Sequence, residues 1–144
     1  MRKIAIQAKS KKHSQKALWK RVANLEKYPK QVKYCKAIFI TEIKEGAVFH
    51  DITTLLWIPL KIKHIILKLD PYKEIKFLLP LPGGGKMWHT FMFKQEAKHA
   101  RVNIEMAFDL GNRIFNATVG HIIEKRLVAL LKHGLSGFEE IKRI

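Results

Sequence analysis

The sequence has a single cysteine, few serines and no long uncharged apolar run, and each shortage excludes a class of protein. With Cys35 as its single cysteine, the chain cannot form an intrachain disulfide or a cysteine-cluster zinc site. Cys35 is expected to be a small buried residue. The longest run without a charged residue covers residues 114–123, well short of the roughly 18 residues needed to span a bilayer. The basic start MRKIAIQAKSKK lacks the apolar stretch of a secretory signal. We therefore expect a soluble, cytoplasmic chain without a transmembrane segment.

Recognisable catalytic and metal-binding patterns are also missing from the sequence. The serines do not stand in a nucleophile-elbow context, and the seven histidines show no zinc-ligand spacing. The run PLPGGGK lacks the first glycine and the final Ser or Thr of a phosphate-binding loop, so it predicts a hairpin loop. Asp51, Glu105 and Asp109 belong to predicted strands, at positions that are expected to face solvent. The sequence therefore predicts no catalytic residue, no metal site and no cofactor.

What the sequence does have is an excess of basic residues, concentrated near its start. The 144-residue chain carries a net charge of +16, and residues 1–36 contain twelve Lys and Arg residues against one acid, Glu26. Such a field attracts nucleic acid or acidic lipid, and the alternative is that the charge serves solubility alone. The lysines predicted to form a shared anion or nucleic-acid patch are Lys11, Lys12, Lys16, Lys20, Lys30 and Lys33.

Periodicity predicts one domain, residues 1–144, in which a helix precedes a run of strands. Alternation predicts a strand at 3–8, and apolar residues at helical spacing predict a helix over 15–27 that Pro29 ends. Phase slips in the alternation indicate bulges or curvature around Pro59. The β-rich runs, divided by turn residues and typical of an antiparallel meander, cover residues 36–45, 47–58, 60–69, 73–79, 86–98 and 100–110.

Residues 112–143 close the chain with a predicted long, one-sided helix. Its apolar stripe consists of Phe115, Val119, Ile123, Leu127, Leu130, Phe138 and Ile141. Unbroken, this helix would reach about 45 Å and could lie across a whole sheet; a break near Gly134 is the alternative. The order of elements predicts an α+β class, with the helices on one side of a curved antiparallel sheet of about 6–7 strands.

Two segments resemble a known superfamily. ALWKRVANLEKYPKQVKYC is similar to the first helix of START-like, helix-grip (START/Bet v 1-like) proteins, where a Trp in the helix precedes an acid-containing turn and Tyr-Pro. KMWHTFMFKQEAKHARVNIEMAFDLGNRIF is similar to their last hairpin leading into the grip helix. The resemblance covers nearly the whole chain and is closest to the polyketide cyclase and coenzyme Q-binding branch, which includes a mitochondrial ubiquinone chaperone and a bacterial ribosome-association toxin. It implies a sheet wrapped around the C-terminal helix.

The apolar residues of the sheet and the last helix are interpreted either as plain core or as the lining of a ligand cavity. His89 is predicted to serve as a polar anchor in that cavity. The predicted cavity residues are Trp57, Phe77, Leu79, Trp88, His89, Phe91, Phe93, Met106, Phe108, Val119 and Ile123.

The first functional hypothesis is non-catalytic binding or transport of a hydrophobic small molecule, such as an isoprenoid quinone, a lipid or a polyketide-like ring. The alternatives are a ribosome- or RNA-binding regulator that uses the basic segment, and a cyclase- or dehydratase-type enzyme. An acidic membrane surface is a further predicted partner of the basic patch.

Overall fold

The structure is a computed structural model that describes residues 1–31, 35–54, 58–135 and 138–144. The strands are β1 (Arg2–Ser10), β2 (Cys35–Phe39), β3 (Val48–Thr54), β4 (Pro59–Asp70), β5 (Glu74–Pro80), β6 (Lys86–Gln95), β7 (Ala100–Asp109) and β8 (Glu140–Arg143). The helices are α1 (Gln15–Ala23), α2 (Tyr28–Gln31), α3 (Arg113–Ala117) and α4 (Val119–Gly134), with short 3-10 turns at Leu25–Lys27 and Pro82–Gly84. The predicted α+β class is confirmed.

These strands form one antiparallel sheet, in the order β2-β3-β4-β5-β6-β7-β1-β8. Strands β2 to β7 pair in chain order, as the closely spaced β-rich runs predict, and β1 then pairs with the far side of β7. Ile4 lies opposite Met106 and Ile6 opposite Ile104, so the apolar residues of β1 and β7 share a face. The described residues contain eight strands where about 6–7 were predicted, and β8 is the unpredicted one.

One face of this sheet carries the core. In β7, Val102, Ile104, Met106 and Phe108 are buried while the residues between them are half-buried or exposed, which confirms the predicted alternation. Leu18 of α1 and Leu127 of α4 belong to the same buried cluster. The two helices therefore cover one face of the sheet, and the opposite face meets solvent.

The unbroken helix predicted over 112–143 is wrong, and the alternative, a break near Gly134, is confirmed. Thr118 interrupts it between α3 and α4, and α4 ends at Gly134. Residues Glu140–Arg143 form β8 instead, because the free edge of β1 offers backbone partners: Ile141 pairs with Ala8. The predicted apolar stripe holds only in its middle, since Ile123, Leu127 and Leu130 are buried whereas Phe115 and Val119 are exposed.

Two prolines act differently from the prediction. Pro29 does not end the first helix; α1 stops at Ala23, and Pro29 lies in the first turn of α2, where a missing N–H is tolerated. Pro59 begins β4 without a register shift, since a strand's first residue need not donate to the ladder. The irregularities lie instead between Ile66 and Lys68 and between Cys35 and Ala37.

Candidate ligand cavity between the sheet and the helices

A cavity of about 200 Å³ lies between strands β2 to β7 and the helices α1 and α4. Helix α1 contributes Leu18 and Val22, and the C-terminal half of α4 contributes Leu127 and Leu131. Most of the wall is apolar because the dry face of each strand presents every second side chain to the same space. A site of this form is suited to a small molecule with a mainly apolar body.

Six of the predicted cavity residues lie in this wall. They share one face of the sheet, since Phe77 pairs with His89 across β5 and β6, and His89 pairs with Met106 across β6 and β7. The six residues are Phe77, Leu79, His89, Phe91, Phe93 and Met106.

Four other predicted cavity residues lie outside this wall. Trp88 projects from the opposite face of β6, beside Lys3 and Thr90, because its neighbours Met87 and His89 point into the cavity. Phe108 is fully buried in dense core and Ile123 is buried on α4, but neither lines the cavity, and Val119 is exposed. Trp57 lies outside the described residues.

An acid and a histidine that the sequence analysis did not select form a polar corner of the cavity. Asp51 of β3 is only 7% exposed, which corrects the expectation that it faces solvent. Its Oδ2 lies 3.9 Å from Nε2 of His64 on β4, too far for a hydrogen bond, and its Oδ1 has no hydrogen-bond partner among the described residues. Burial raises the pKa of the Asp51 carboxyl to about 6.

His64 is held as a neutral ring by its surroundings. It stacks on Phe49 at 4.6 Å between ring centres with planes 10° apart, and it meets Phe77 edge-on at 6.1 Å. Its Nδ1 lies 3.4 Å from the Ile62 carbonyl oxygen. Burial lowers the pKa of His64 to about 4, so it does not supply a positive charge for Asp51 at neutral pH.

His89 has the same character in the middle of the sheet. Its ring lies 4.3 Å from the ring of Phe91 and 6.3 Å from that of Phe77. Burial lowers its pKa to about 3, and its Nε2 has no hydrogen-bond partner among the described residues. A buried nitrogen without a partner is costly, so a ligand atom that hydrogen-bonds to it would recover stability.

The alternation of β3 could have revealed this corner. Phe49, Asp51 and Thr53 are all buried and alternate with half-buried residues, so Asp51 shares the face of Phe49. The expectation that Asp51 faces solvent rested on its charge. Cys35 lies in the same wall, and burial, followed by the nearby charge of Asp51, raises the pKa of its thiol to about 11.

The predicted basic patch lies at the surface in the part of the chain that the structure describes. Lys11, Lys12, Lys16, Lys20 and Lys30 are exposed, whereas Lys33 lies outside the described residues. Within the part of the chain that the structure describes, no three His, Cys, Asp or Glu side chains are grouped to hold a metal ion. No described helix is long and apolar enough to cross a membrane.

Comparison with known proteins identifies the fold. No protein-family model matches the sequence, and no curated protein matches it significantly. A START superfamily protein from Mycobacterium smegmatis matches the structure with a TM-score of 0.75 over 94% of each chain, at 11% sequence identity. The chain has the START-like helix-grip fold.

Two further matches show how widely this fold is shared. The ginseng major latex-like protein 151 from Panax ginseng has a TM-score of 0.74 and 10% identity, over 96% of this chain and 98% of its own. The Zhui aromatase/cyclase from Streptomyces sp. R1128 has a TM-score of 0.69 and 14% identity, over 92% of this chain and 86% of its own. Identities this low establish the fold and leave the function to the site.

Proposed function

We propose that this chain binds a small hydrophobic molecule in the cavity between the sheet and α4. The observation that carries the proposal is an apolar cavity whose wall contains two buried polar atoms with no hydrogen-bond partner among the described residues, Oδ1 of Asp51 and Nε2 of His89. A cavity that were merely a packing defect would be expected to be lined by apolar atoms alone. Polar atoms placed in it at a cost to stability are a feature of binding sites.

The volume of the cavity favours a compact ligand. An engineered cavity of roughly 150 Å³ holds benzene, whereas pockets for drug-sized molecules begin at roughly 300 Å³. At about 200 Å³, this cavity has room for one ring or two fused rings. Of the three ligand classes predicted from the sequence, a polyketide-like ring therefore suits it better than an isoprenoid quinone or a lipid chain.

The polar corner selects the substituent on that ring. With a pKa of about 6, Asp51 is mainly a carboxylate at neutral pH and can only accept hydrogen bonds. A hydroxyl group on the ligand supplies the missing donor. An amine is less suitable because Arg21 lines the same cavity and the chain carries a net charge of +16. The proposed ligand is a small hydroxylated ring compound.

The test uses 2-naphthol, which has two fused rings and one hydroxyl, and calorimetry on purified protein. We expect Leu131→Trp, which fills the cavity from α4, to abolish binding, and Ala129→Trp, on the exposed side of the same helix, to leave it unchanged. Asp51→Asn is expected to weaken the binding of 2-naphthol by about tenfold, because a hydrogen bond to a charged group is lost. The binding of naphthalene, which has no hydroxyl, should weaken much less. Equal binding by the two tryptophan variants would contradict the cavity as the site.

Native mass spectrometry and solvent extraction of freshly purified protein identify the natural ligand. A co-purifying compound that the Leu131→Trp protein lacks would support the proposal. Absence of any bound compound, together with no 2-naphthol binding, would contradict it.

Ribosome or RNA binding through the exposed lysines gains no support from the compared structures, and it stays a prediction. The cyclase- or dehydratase-type activity also stays a prediction, and the closest acid and base in the cavity are Asp51 and His64.

A further inference from the structure

Four large apolar side chains project into solvent where α3 meets α4. Ile114 is 71% exposed, Phe115 55%, Val119 41% and Ile122 53%. Phe115, Val119 and Ile122 are spaced at i, i+4 and i+7 in a segment that only Thr118 interrupts, so they lie on one side of it. We call these four residues the α3–α4 apolar face. Singly exposed apolar residues are ordinary, whereas a cluster of large ones marks an interaction surface.

Hydrogen bonds hold α3 in place. The Asn112 side chain caps the helix by accepting from the backbone N–H of Ile114 at 2.8 Å. The Asn116 amide accepts from the Leu110 N–H at 2.8 Å and donates to Asp109 at 2.9 Å, and Arg2 donates to the Asn116 carbonyl at 3.2 Å. The apolar side chains are therefore presented by an anchored turn, and their exposure does not result from fraying.

The charges around the face are positive. Between residues 110 and 138 the sequence has one acid, Glu124, and this carboxylate is bound by Arg2 and Arg143, which lowers its pKa. Arg113 adjoins Ile114, Lys125 lies one turn beyond Ile122, and both are exposed. An apolar surface flanked by exposed cations is complementary to a surface that combines hydrocarbon with negative charge.

We propose that the α3–α4 apolar face docks the protein on the surface of a membrane that contains acidic lipids, with Phe115, Ile114 and Ile122 inserted among the acyl chains. The high exposure of Ile114 and Phe115 describes a protruding corner, and a protrusion enters the interfacial region of a bilayer. A second copy of the chain is disfavoured as the occupant, because it would bring together two molecules of net charge +16.

Vesicle flotation tests the apolar part of this proposal. The wild-type chain is expected to float with vesicles of phosphatidylcholine mixed with phosphatidylglycerol, and much less with phosphatidylcholine alone. Phe115→Ser with Ile122→Ser should lower the partition coefficient by about tenfold or more, because their apolar area no longer leaves water. The matched control is Phe39→Ser, since Phe39 is 57% exposed but lies on β2, at the other edge of the sheet.

The same assay tests the charges. Arg113→Gln and Lys125→Gln should each lower partitioning onto acidic vesicles by about fivefold, the effect of one basic residue near a charged surface. Lys61→Gln, an exposed lysine on β4, should have little effect. Added salt should weaken binding of the wild type more than that of the Arg113 and Lys125 variants.

A fluorescent label reports whether the face enters the bilayer. Phe115→Cys can be labelled selectively with an environment-sensitive dye, because Cys35 is buried and its thiol pKa is raised to about 11. We expect a blue shift of the dye at position 115 on acidic vesicles and no shift at position 39 in Phe39→Cys. Circular dichroism on each variant checks that the fold is retained.

Several results would overturn the proposal. One is the absence of vesicle binding, and another is an equal loss of vesicle binding in the Phe39→Ser and Phe115→Ser variants. A third is vesicle binding that depends on Lys16 and Lys20 and that Phe115→Ser does not change. Self-association in sedimentation velocity that Phe115→Ser abolishes would show instead that the face joins two copies of the chain. None of these results depends on the cavity, so they do not test the proposed ligand binding, which is tested separately.

Discussion

Replacing Asp51 by Asn should stabilise the unliganded protein at neutral pH and hardly at all below about pH 4. Burial raises the folded pKa of Asp51 to about 6, and the difference from its ordinary value near 4 corresponds to about 3 kcal/mol. Between these pH values the folded chain binds more protons than the unfolded chain. The stability contributed by Asp51 is therefore complete below about pH 4 and is lost as the pH rises through about 6.

The measurement is urea unfolding of ligand-free wild type and Asp51→Asn at about pH 5 and about pH 8. The free energy of unfolding of the variant should exceed that of the wild type by about 3 kcal/mol at pH 8 and by roughly half of that at pH 5, because Asp51 is mostly protonated in the folded chain at the lower pH. A constant offset from the changed hydrogen bonding of Asn is subtracted by comparing the two pH values.

The two buried histidines change stability with pH in the opposite direction from Asp51. The quantity to follow is therefore the difference in the free energy of unfolding between the variant and the wild type. Burial lowers the pKa of His64 to about 4 and that of His89 to about 3, and the stability that these neutral rings provide is lost as the pH falls below about 6.5. Wild-type stability should therefore fall in acid despite Asp51. If the difference between the two proteins were the same at both pH values, Asp51 would not be a buried ionising group and the polar corner would have to be abandoned.

Three other changes probe the core, the cavity and the basic segment. His89→Phe should stabilise the ligand-free protein by about 1–3 kcal/mol in thermal unfolding, because it removes a buried nitrogen that has no hydrogen-bond partner in the described part of the chain, and it should weaken ligand binding; destabilisation would show that the nitrogen is satisfied. Ile123→Asp should abolish folded expression by burying a carboxylate on α4, whereas a wild-type melting temperature would contradict the burial of this helix face. Stepwise Lys→Gln changes should leave the fold intact and, if the basic patch binds RNA, flatten the slope of log affinity against log salt by about 0.7–0.9 per contact; unchanged binding in the quadruple variant would mean that the charge serves solubility. The four lysines are Lys11, Lys12, Lys16 and Lys20.

Regular alternation made most of the sheet predictable from the sequence. In β7 the apolar residues repeat every second position without a slip, and the strand occupies Ala100–Asp109 where 100–110 was predicted. The turn at Asp70 and the PLPGGG loop separate strands because their residues favour turns whatever the tertiary context. Such local signals also placed the first helix and the order of the elements.

The C-terminal strand was unpredictable for a physical reason. The four residues Glu140–Arg143 are too short and too charged to show a period, and what makes them a strand is the unpaired edge of β1, a partner more than a hundred residues away. The exposure of Phe115 and Val119 was missed similarly, because helical periodicity shows which residues share a side but not whether another element covers it.

The buried face of the sheet has a densely packed half at β1 and a half at β3 and β4 that borders the cavity. Strand β1 supplies no residue to the cavity wall, and its Ile4 and Ile6 pack with Phe108 in dense core. Asp51 and His64 lie on β3 and β4, on the other side of the sheet order, where space remains. Oδ1 of Asp51 and Nε2 of His89 are buried with no hydrogen-bond partner among the described residues, which costs stability, and a bound molecule that hydrogen-bonds to them would offset that cost. The proposed ligand binding would therefore be coupled to stability, and the coupling should be strongest above about pH 6, where Asp51 is charged.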